Sequence, residues 1–173
     1  MLTLRNHIQF IITGVFILLA QVLIFSNTNL FSWLNPLVYS LFVFLFPTKN
    51  RMNLIIYSFI LGLCLDTIFN TGGINAFALT FIAFIREPLW RSLSLIKEDK
   101  NSIATRTRST NTFFFSVLIL IFIHHLIIFS IENFNFATIH YLLFKVLLSS
   151  VITFSIILLL YSIFRIKIVN GEE

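Results

Sequence analysis

The sequence predicts an all-α membrane protein in which six transmembrane helices form one bundle, with residues 1–173 as a single membrane domain. Two observations support this prediction. Hydrophobic residues make up 58% of the chain and charged residues only 11%, whereas soluble domains usually carry about 25% charged residues. Six apolar stretches also follow one another along the chain, most of them close to the roughly 20 residues that one span needs.

The apolar stretches give the expected helix boundaries, which are residues 8–25, 30–46, 54–69, 74–88, 113–131 and 137–164. Pro36 near the start of the second stretch and Pro47 directly after it agree with helix ends at these positions. From Gly73 to Arg86 the fourth stretch gives only about 18 Å of helix, against a hydrocarbon core of about 30 Å. Snorkelling of Arg86, a turn below the membrane surface or a thinner bilayer would each resolve this mismatch. Residues 89–96 are expected to form a short interfacial helix.

The positive charges predict the orientation. Eleven of the twelve Lys and Arg residues lie in the N-terminus, in residues 49–51, in residues 86–108 and in the C-terminus. The alternate connections, residues 26–29, 70–73 and 132–136, contain none. By the positive-inside rule both termini are therefore expected to be cytoplasmic. Contact of these positive residues with the lipid bilayer explains the net charge of +5. We therefore expect no nucleic-acid partner.

Five polar side chains fall inside the expected spans, all in the outer half of the membrane: Gln21, Asp66, His124, His125 and Lys145. A charge at the centre of a span costs roughly 2.5–3.5 kcal/mol on insertion scales, so such residues usually face the bundle interior and find partners there. We expect Asp66 to pair with Lys145, with Gln21 or a histidine bonded nearby.

Small and polar residues also recur at four-residue spacing, which predicts helix-packing stripes on the third and sixth helices. We expect the two stripes to face one cavity; they are Ser58, Gly62, Asp66 and Asn70, and Tyr141, Lys145, Ser149 and Thr153. Gly72 and Gly73 predict a turn after the third helix, and Asn75 lies at the start of the fourth.

Three functions remain open for the polar residues: a network that fixes the fold or docks a partner, a pathway for a small molecule or ion, and intramembrane catalysis by His124 and His125. Neighbouring residues on a helix point about 100° apart, so the two histidines are poorly placed to act on one centre. The sequence contains no HExxH motif, serine elbow or phosphate-binding glycine loop. We therefore predict no catalytic, metal-binding or cofactor-binding residue.

Residues 61–88 resemble the rod shape-determining protein MreD family. Members carry G-x-x-x-D on the third helix, here Gly62 and Asp66, followed by a glycine turn that opens the fourth helix, here Gly72 to Ala76. The entry to the second helix and the Arg-Glu-Pro sequence at residues 86–88 are similar to those of Bacteroidetes relatives. Relatives often have His where this chain has Asn75, and the likeness is strongest over residues 21–90.

The resemblance implies a non-enzymatic scaffold of the bacterial inner membrane that acts in cell elongation, controlling cell shape and lateral peptidoglycan synthesis. It implies direct binding to MreC, and one complex with a RodA-type glycosyltransferase, a class B penicillin-binding protein and the MreB filament. The family is similar in fold to the substrate-binding S components of energy-coupling-factor transporters. This likeness implies an alternative function, the binding or transport of a vitamin-like small molecule.

Overall fold

The computed structural model describes residues 4–25, 35–45, 51–97, 110–132 and 139–164, which are almost entirely helical and contain no strand. The helices are α1 (Leu4–Ala20, continued by the π-helical turn Gln21–Phe25), the 3-10 turn Val38–Ser40 leading into α2 (Leu41–Leu45), α3 (Arg51–Phe69), α4 (Ile74–Lys97), α5 (Thr110–Glu132) and α6 (Ile139–Phe164). The predicted all-α class is confirmed. The connections predicted at residues 26–29 and 133–136, and most of the polar loop after α4, lie outside the described residues.

Within the described ranges, four helical segments are long and apolar enough to cross a membrane, as expected for a multi-pass membrane protein: His7–Phe25, Arg51–Phe69, Asn111–Glu132 and Ile139–Ser162. They correspond to the first, third, fifth and sixth stretches predicted from the sequence. Large apolar side chains remain exposed on their outer faces; Phe16 on α1 is 67% exposed and Phe144 on α6 is 55% exposed. Contiguous apolar surface of this kind is typical of a face that contacts acyl chains.

The second predicted helix, residues 30–46, begins later than expected where the chain is described. Asn35, Pro36 and Leu37 are not helical, and the helix begins only at Val38. Proline disfavours the helical conformation in the residue before it, so a helix cannot easily run through Asn35 into Pro36. Every residue from Val38 to Phe44 is buried. The segment is a short central helix enclosed by the others.

The predicted boundary at residue 88 is also wrong. α4 is one continuous helix of 24 residues with Pro88 inside it, so residues 89–96 do not form a separate interfacial helix. At 1.5 Å per residue α4 is about 36 Å long. Its apolar part still ends at Arg86, and α4 is not among the candidate membrane spans of the described residues. A hydrogen bond from Arg51 of α3 to α4 allows the helix to continue through Pro88.

Successive long helices pack in chain order: α3 on α4, α4 on α5 and α5 on α6. α1 contacts α2 and α3, and the 3-10 turn contacts α1 and α6. The buried apolar side chains form one cluster that includes Phe42, Leu65, Leu79 and Ile121. α3 packs mainly on α4, and α6 mainly on α5; that the two small-residue stripes face one cavity stays a prediction.

Candidate functional site

Asp66 on α3 caps the N-terminus of α4. Its Oδ1 accepts a hydrogen bond from the Asn75 backbone N–H at 3.0 Å, and its Oδ2 accepts one from the Ala76 N–H at 2.8 Å. The first N–H groups of a helix have no partner within the helix, and the helix dipole makes this end attractive to a carboxylate. Asp66 is 6% exposed. It therefore satisfies the free donors of a neighbouring helix from inside the protein.

Two side chains complete the bonding of this carboxylate. The Thr71 hydroxyl and the Asn75 Nδ2 both donate to Asp66 Oδ1. Asn75 Nδ2 also donates to the Thr71 oxygen at 2.7 Å. Asp66 thus accepts four hydrogen bonds from the segment that follows its own helix. These donors offset the loss of water on burial.

Gly62 permits the close approach that this cap requires. A Cβ atom at position 62 would lie 2.7 Å from the Ala76 nitrogen and would also overlap the Ala76 Cα. Gly62 precedes Asp66 by one helical turn, so the two residues share one face of α3. The absent side chain lets the start of α4 lie against α3, and the carboxylate one turn later reaches its N–H groups. This gives the G-x-x-x-D pattern a physical reason.

The turn between α3 and α4 uses three residues with positive φ: Asn70 at 55°, Gly72 at 62° and Gly73 at 97°. Glycine adopts such angles without steric cost, and asparagine tolerates them better than most residues. The predicted role of Gly72 and Gly73 as turn residues is confirmed. Their conformation reverses the chain so that α4 starts beside Asp66.

Tyr39 extends the network into the centre of the bundle. Its hydroxyl donates to Asn75 Oδ1, and its backbone N–H donates to Gln21 Oε1 at 3.2 Å. Gln21 Nε2 in turn donates to the Pro36 carbonyl at 3.2 Å. Gln21 is therefore bonded inside the bundle as expected, but it joins Asp66 only through Tyr39 and Asn75. We call this chain of bonds, from Gln21 to Asp66, the Tyr39 network.

The two adjacent histidines have different surroundings. His125 Nδ1 lies 2.9 Å from the Ile121 carbonyl, and its Nε2 lies 3.2 Å from the Thr153 hydroxyl. A carbonyl only accepts, so Nδ1 carries the proton and Nε2 accepts from Thr153. The His124 ring instead lies edge-on to the Tyr39 ring, with 5.0 Å between centroids. Both histidines are fully buried.

Lys145 does not join Asp66, so the predicted ion pair is wrong. Its Nζ lies 4.3 Å from the centre of the Phe129 ring on α5. The other residues of the two stripes differ in exposure to solvent: Ser58, Ser149 and Thr153 are buried, whereas Asn70 and Tyr141 are exposed.

Two arginines donate to backbone carbonyl groups that have no partner within their own helices. Pro88 has no N–H and cannot bond to the carbonyl four residues earlier in α4, which belongs to Phe84. Arg51 of α3 donates to this carbonyl at 2.8 Å, and its guanidinium lies 4.5 Å from the centre of the Phe84 ring. Freed carbonyls in membrane helices need such outside donors. This contact explains how α4 continues through Pro88.

Arg86 has the same role towards α2. It is 3% exposed, and its Nη1 donates to the Val43 carbonyl. α2 ends at Leu45, so the Val43 carbonyl lies in its last turn and has no N–H partner within that helix. The sequence predicts Arg86 as a charge that reaches the membrane surface, whereas the structure shows it as an internal donor. Its guanidinium also lies 5.9 Å from the centre of the Trp90 ring.

The sequence interpretation missed Tyr39, Thr71, Arg51 and Arg86. A signal for each exists: a tyrosine within an apolar run needs a partner for its hydroxyl, and a proline exposes the carbonyl four residues before it. Among the described residues, no group of three or more His, Cys, Asp and Glu side chains could hold a metal ion. The chain matches no protein-family model, no curated protein and no solved structure.

Proposed function

We propose that the chain is a non-enzymatic membrane scaffold of the MreD type, which binds MreC and through it acts in cell elongation and lateral peptidoglycan synthesis. One observation carries the proposal: both oxygens of Asp66, the buried acid of the outer half, are bonded to groups of the chain itself. A carboxylate used in this way stabilises a helix hairpin and is not free to bind a substrate. The resemblance of residues 61–88 to the MreD family supplies the partner.

The apolar exterior supports a role exercised through helix contacts. α1, α3 and α6 expose large hydrophobic side chains along their lengths, so a single-span partner such as MreC would pack against them within the bilayer. Close helix packing in lipid depends on van der Waals contacts. In this proposal a RodA-type glycosyltransferase, a class B penicillin-binding protein and the MreB filament join the same complex at the bacterial inner membrane.

We also propose six membrane crossings with both termini in the cytoplasm, on the evidence of the charge distribution. Cysteine labelling tests this in a Cys64→Ala background. Thr28→Cys and Asn135→Cys should react with a membrane-impermeant maleimide added from the periplasmic side. Thr48→Cys and Ser109→Cys should react only after the inner membrane is permeabilised. Labelling of all four positions from one side would contradict the proposed topology.

Co-purification with MreC tests the proposed function. MreC should be recovered with the wild-type chain, and recovery should fall with Asp66→Ala because the hairpin loses its cap. Glu87→Ala is the matched control: Glu87 is also an acid, but its partner is the exposed Arg91 at 3.2 Å on the same helix. Failure of the wild-type chain to retain MreC would contradict the proposal.

A thermal-stability series distinguishes the scaffold from the vitamin-binding alternative. A ligand that binds only the folded protein stabilises it by about 2.7 kcal/mol at a concentration 100 times its Kd. We expect no rise in Tm when riboflavin, thiamine or biotin is added to the purified chain. A clear rise with one of them would favour a substrate-binding subunit over a scaffold.

A further inference from the structure

Four residues of α4 form an exposed stripe along one face of the helix: Phe77, Phe81, Phe84 and Pro88. They follow one another at intervals of four, three and four residues, which places them on one side of a helix. The three phenylalanines are 54%, 39% and 53% exposed, and the rings of Phe77 and Phe81 stack with 6.1 Å between centroids. We call these four residues the α4 stripe. α4 packs against α3 and α5, and the α4 stripe is a face that these neighbours leave open.

Positive charges lie at one end of the α4 stripe. Arg91 follows Pro88 by three residues on the same face, and its side chain is 72% exposed. The guanidinium of Arg51, from α3, lies 4.5 Å from the centre of the Phe84 ring and donates to the Phe84 carbonyl at 2.8 Å. Glu87 Oε1 accepts a hydrogen bond from Arg91 Nε at 3.2 Å. Two arginines and one glutamate leave this end with a net positive charge.

The length of this face matches the length of one lipid in a membrane. Phe77 and Arg91 are 14 residues apart, which is about 21 Å at 1.5 Å per residue. A bilayer is about 40–45 Å thick with its headgroups, so one leaflet takes about 20–22 Å. A phospholipid whose phosphate lies beside Arg91 therefore has acyl chains long enough to reach Phe77.

We propose that the α4 stripe binds one anionic phospholipid, with its phosphate beside Arg51 and Arg91 and an acyl chain along Phe84, Phe81 and Phe77. Phosphate oxygens accept the charge-assisted hydrogen bonds that guanidinium groups donate. The net positive charge favours an anionic headgroup over a zwitterionic one. An acidic peptide would satisfy the arginines but would leave the apolar part of the stripe uncovered, whereas a lipid fits both parts. In the topology proposed above, this lipid belongs to the cytoplasmic leaflet.

Quenching by brominated lipids tests the site in vesicles. Bromine atoms on an acyl chain quench a tryptophan that they touch, so Phe81→Trp reports which lipid lies against the stripe. The vesicles carry phosphatidylglycerol and phosphatidylcholine in both leaflets, and each lipid is brominated in turn. One Lys or Arg near an anionic surface strengthens binding about fivefold, so we expect phosphatidylglycerol to be favoured about fivefold at position 81. Phe77→Trp should report the same preference, and the wild type gives the background from the two native tryptophans.

Matched variants separate this site from a general attraction between a positive protein and anionic lipid. Phe16→Trp is the control, because Phe16 is a lipid-facing phenylalanine of α1 that is 67% exposed, and it should report little preference. In the Phe81→Trp background, Arg91→Gln should remove most of the preference. Glu87→Gln should raise it about fivefold, because it removes the acid that offsets one arginine. Neither change touches Arg51, on which the continuity of α4 depends.

Equal quenching by the two lipids at position 81, or an equal preference at positions 16 and 81, would overturn the proposal. An unchanged preference after Arg91→Gln would do so as well. Lack of quenching by either lipid would show that protein, such as a second copy of the chain, covers the stripe, and would also overturn it. The measurement uses the purified chain without MreC and both lipids in both leaflets. The lipid site is therefore tested independently of the proposed scaffold function and of the proposed topology.

Discussion

The two halves of α4 form hydrogen bonds with side chains of opposite charge. At its start, a carboxylate from α3 accepts hydrogen bonds from free backbone N–H groups. Around Pro88, arginines supply donors to free carbonyls: Arg51 bonds to Phe84 of α4, and Arg86 of α4 bonds to Val43. In both halves a charged side chain forms a hydrogen bond with a backbone group that has no partner in its own helix. The comparison teaches that these three charged side chains, Asp66, Arg51 and Arg86, are placed according to backbone hydrogen bonding.

The start of α4 should respond most strongly to substitution. Asp66→Ala removes the acceptor of two backbone N–H groups and two side chains, and each buried unsatisfied group costs about 1–3 kcal/mol. We expect the free energy of unfolding in mixed micelles to fall by about 3 kcal/mol or more. Glu87→Ala, which breaks one pair with the exposed Arg91 and uncovers no helix N-terminus, should cost less than about 1 kcal/mol. Equal losses in the two variants would show that the cap has no special role.

Substitution of Gly62, which permits the cap, should give the next largest loss of unfolding free energy. Gly62→Ala places a methyl group against the backbone of Ala76, and overpacking of this kind costs about 1–3 kcal/mol. Gly14→Ala on α1 is a matched control, because its Cβ would meet only the end of the Phe42 ring at 3.4 Å. Its unfolding free energy should stay level or rise, since alanine favours helix by up to about 1 kcal/mol. A harmless Gly62→Ala would contradict the close approach of α3 and α4.

The proline half of α4 allows a test by rescue. Arg51→Met leaves the Phe84 carbonyl without its donor, at a cost of about 1–3 kcal/mol. In a Pro88→Ala background the new N–H at position 88 can bond to this carbonyl, so the same substitution should cost less. The double-mutant cycle should give a coupling of about 0.5–3 kcal/mol. Arg91→Met, at an exposed position, should show none, and a zero coupling for Arg51 would remove the proposed role.

Local sequence patterns predicted part of this structure, whereas contacts between residues far apart in the sequence did not show in them. The composition and the lengths of the apolar stretches predicted a helical membrane protein, because a chain in lipid must be apolar and must pair its backbone groups internally. Gly62, Asp66 and the glycine turn were found because their pattern is local. The continuity of α4 through Pro88 was not predicted, since it depends on Arg51, which lies 33 residues before the Phe84 carbonyl that it bonds to. Helix order in the bundle depends on such distant contacts, and one sequence does not specify them.

The smallest effect is expected at Lys145, and it tests the correction to the charge pairing. Matching the buried acid to the one lysine within a span was reasonable, but Lys145 lies over the Phe129 ring instead. Lys145→Met should therefore cost about 0.5–1 kcal/mol, the usual range for a cation–π contact. Combined with Asp66→Ala, it should be additive within about 0.3–0.5 kcal/mol, as for distant sites. A larger coupling would mean that the two charges attract each other across the bundle, and backbone hydrogen bonding would no longer suffice to explain why Asp66 is buried.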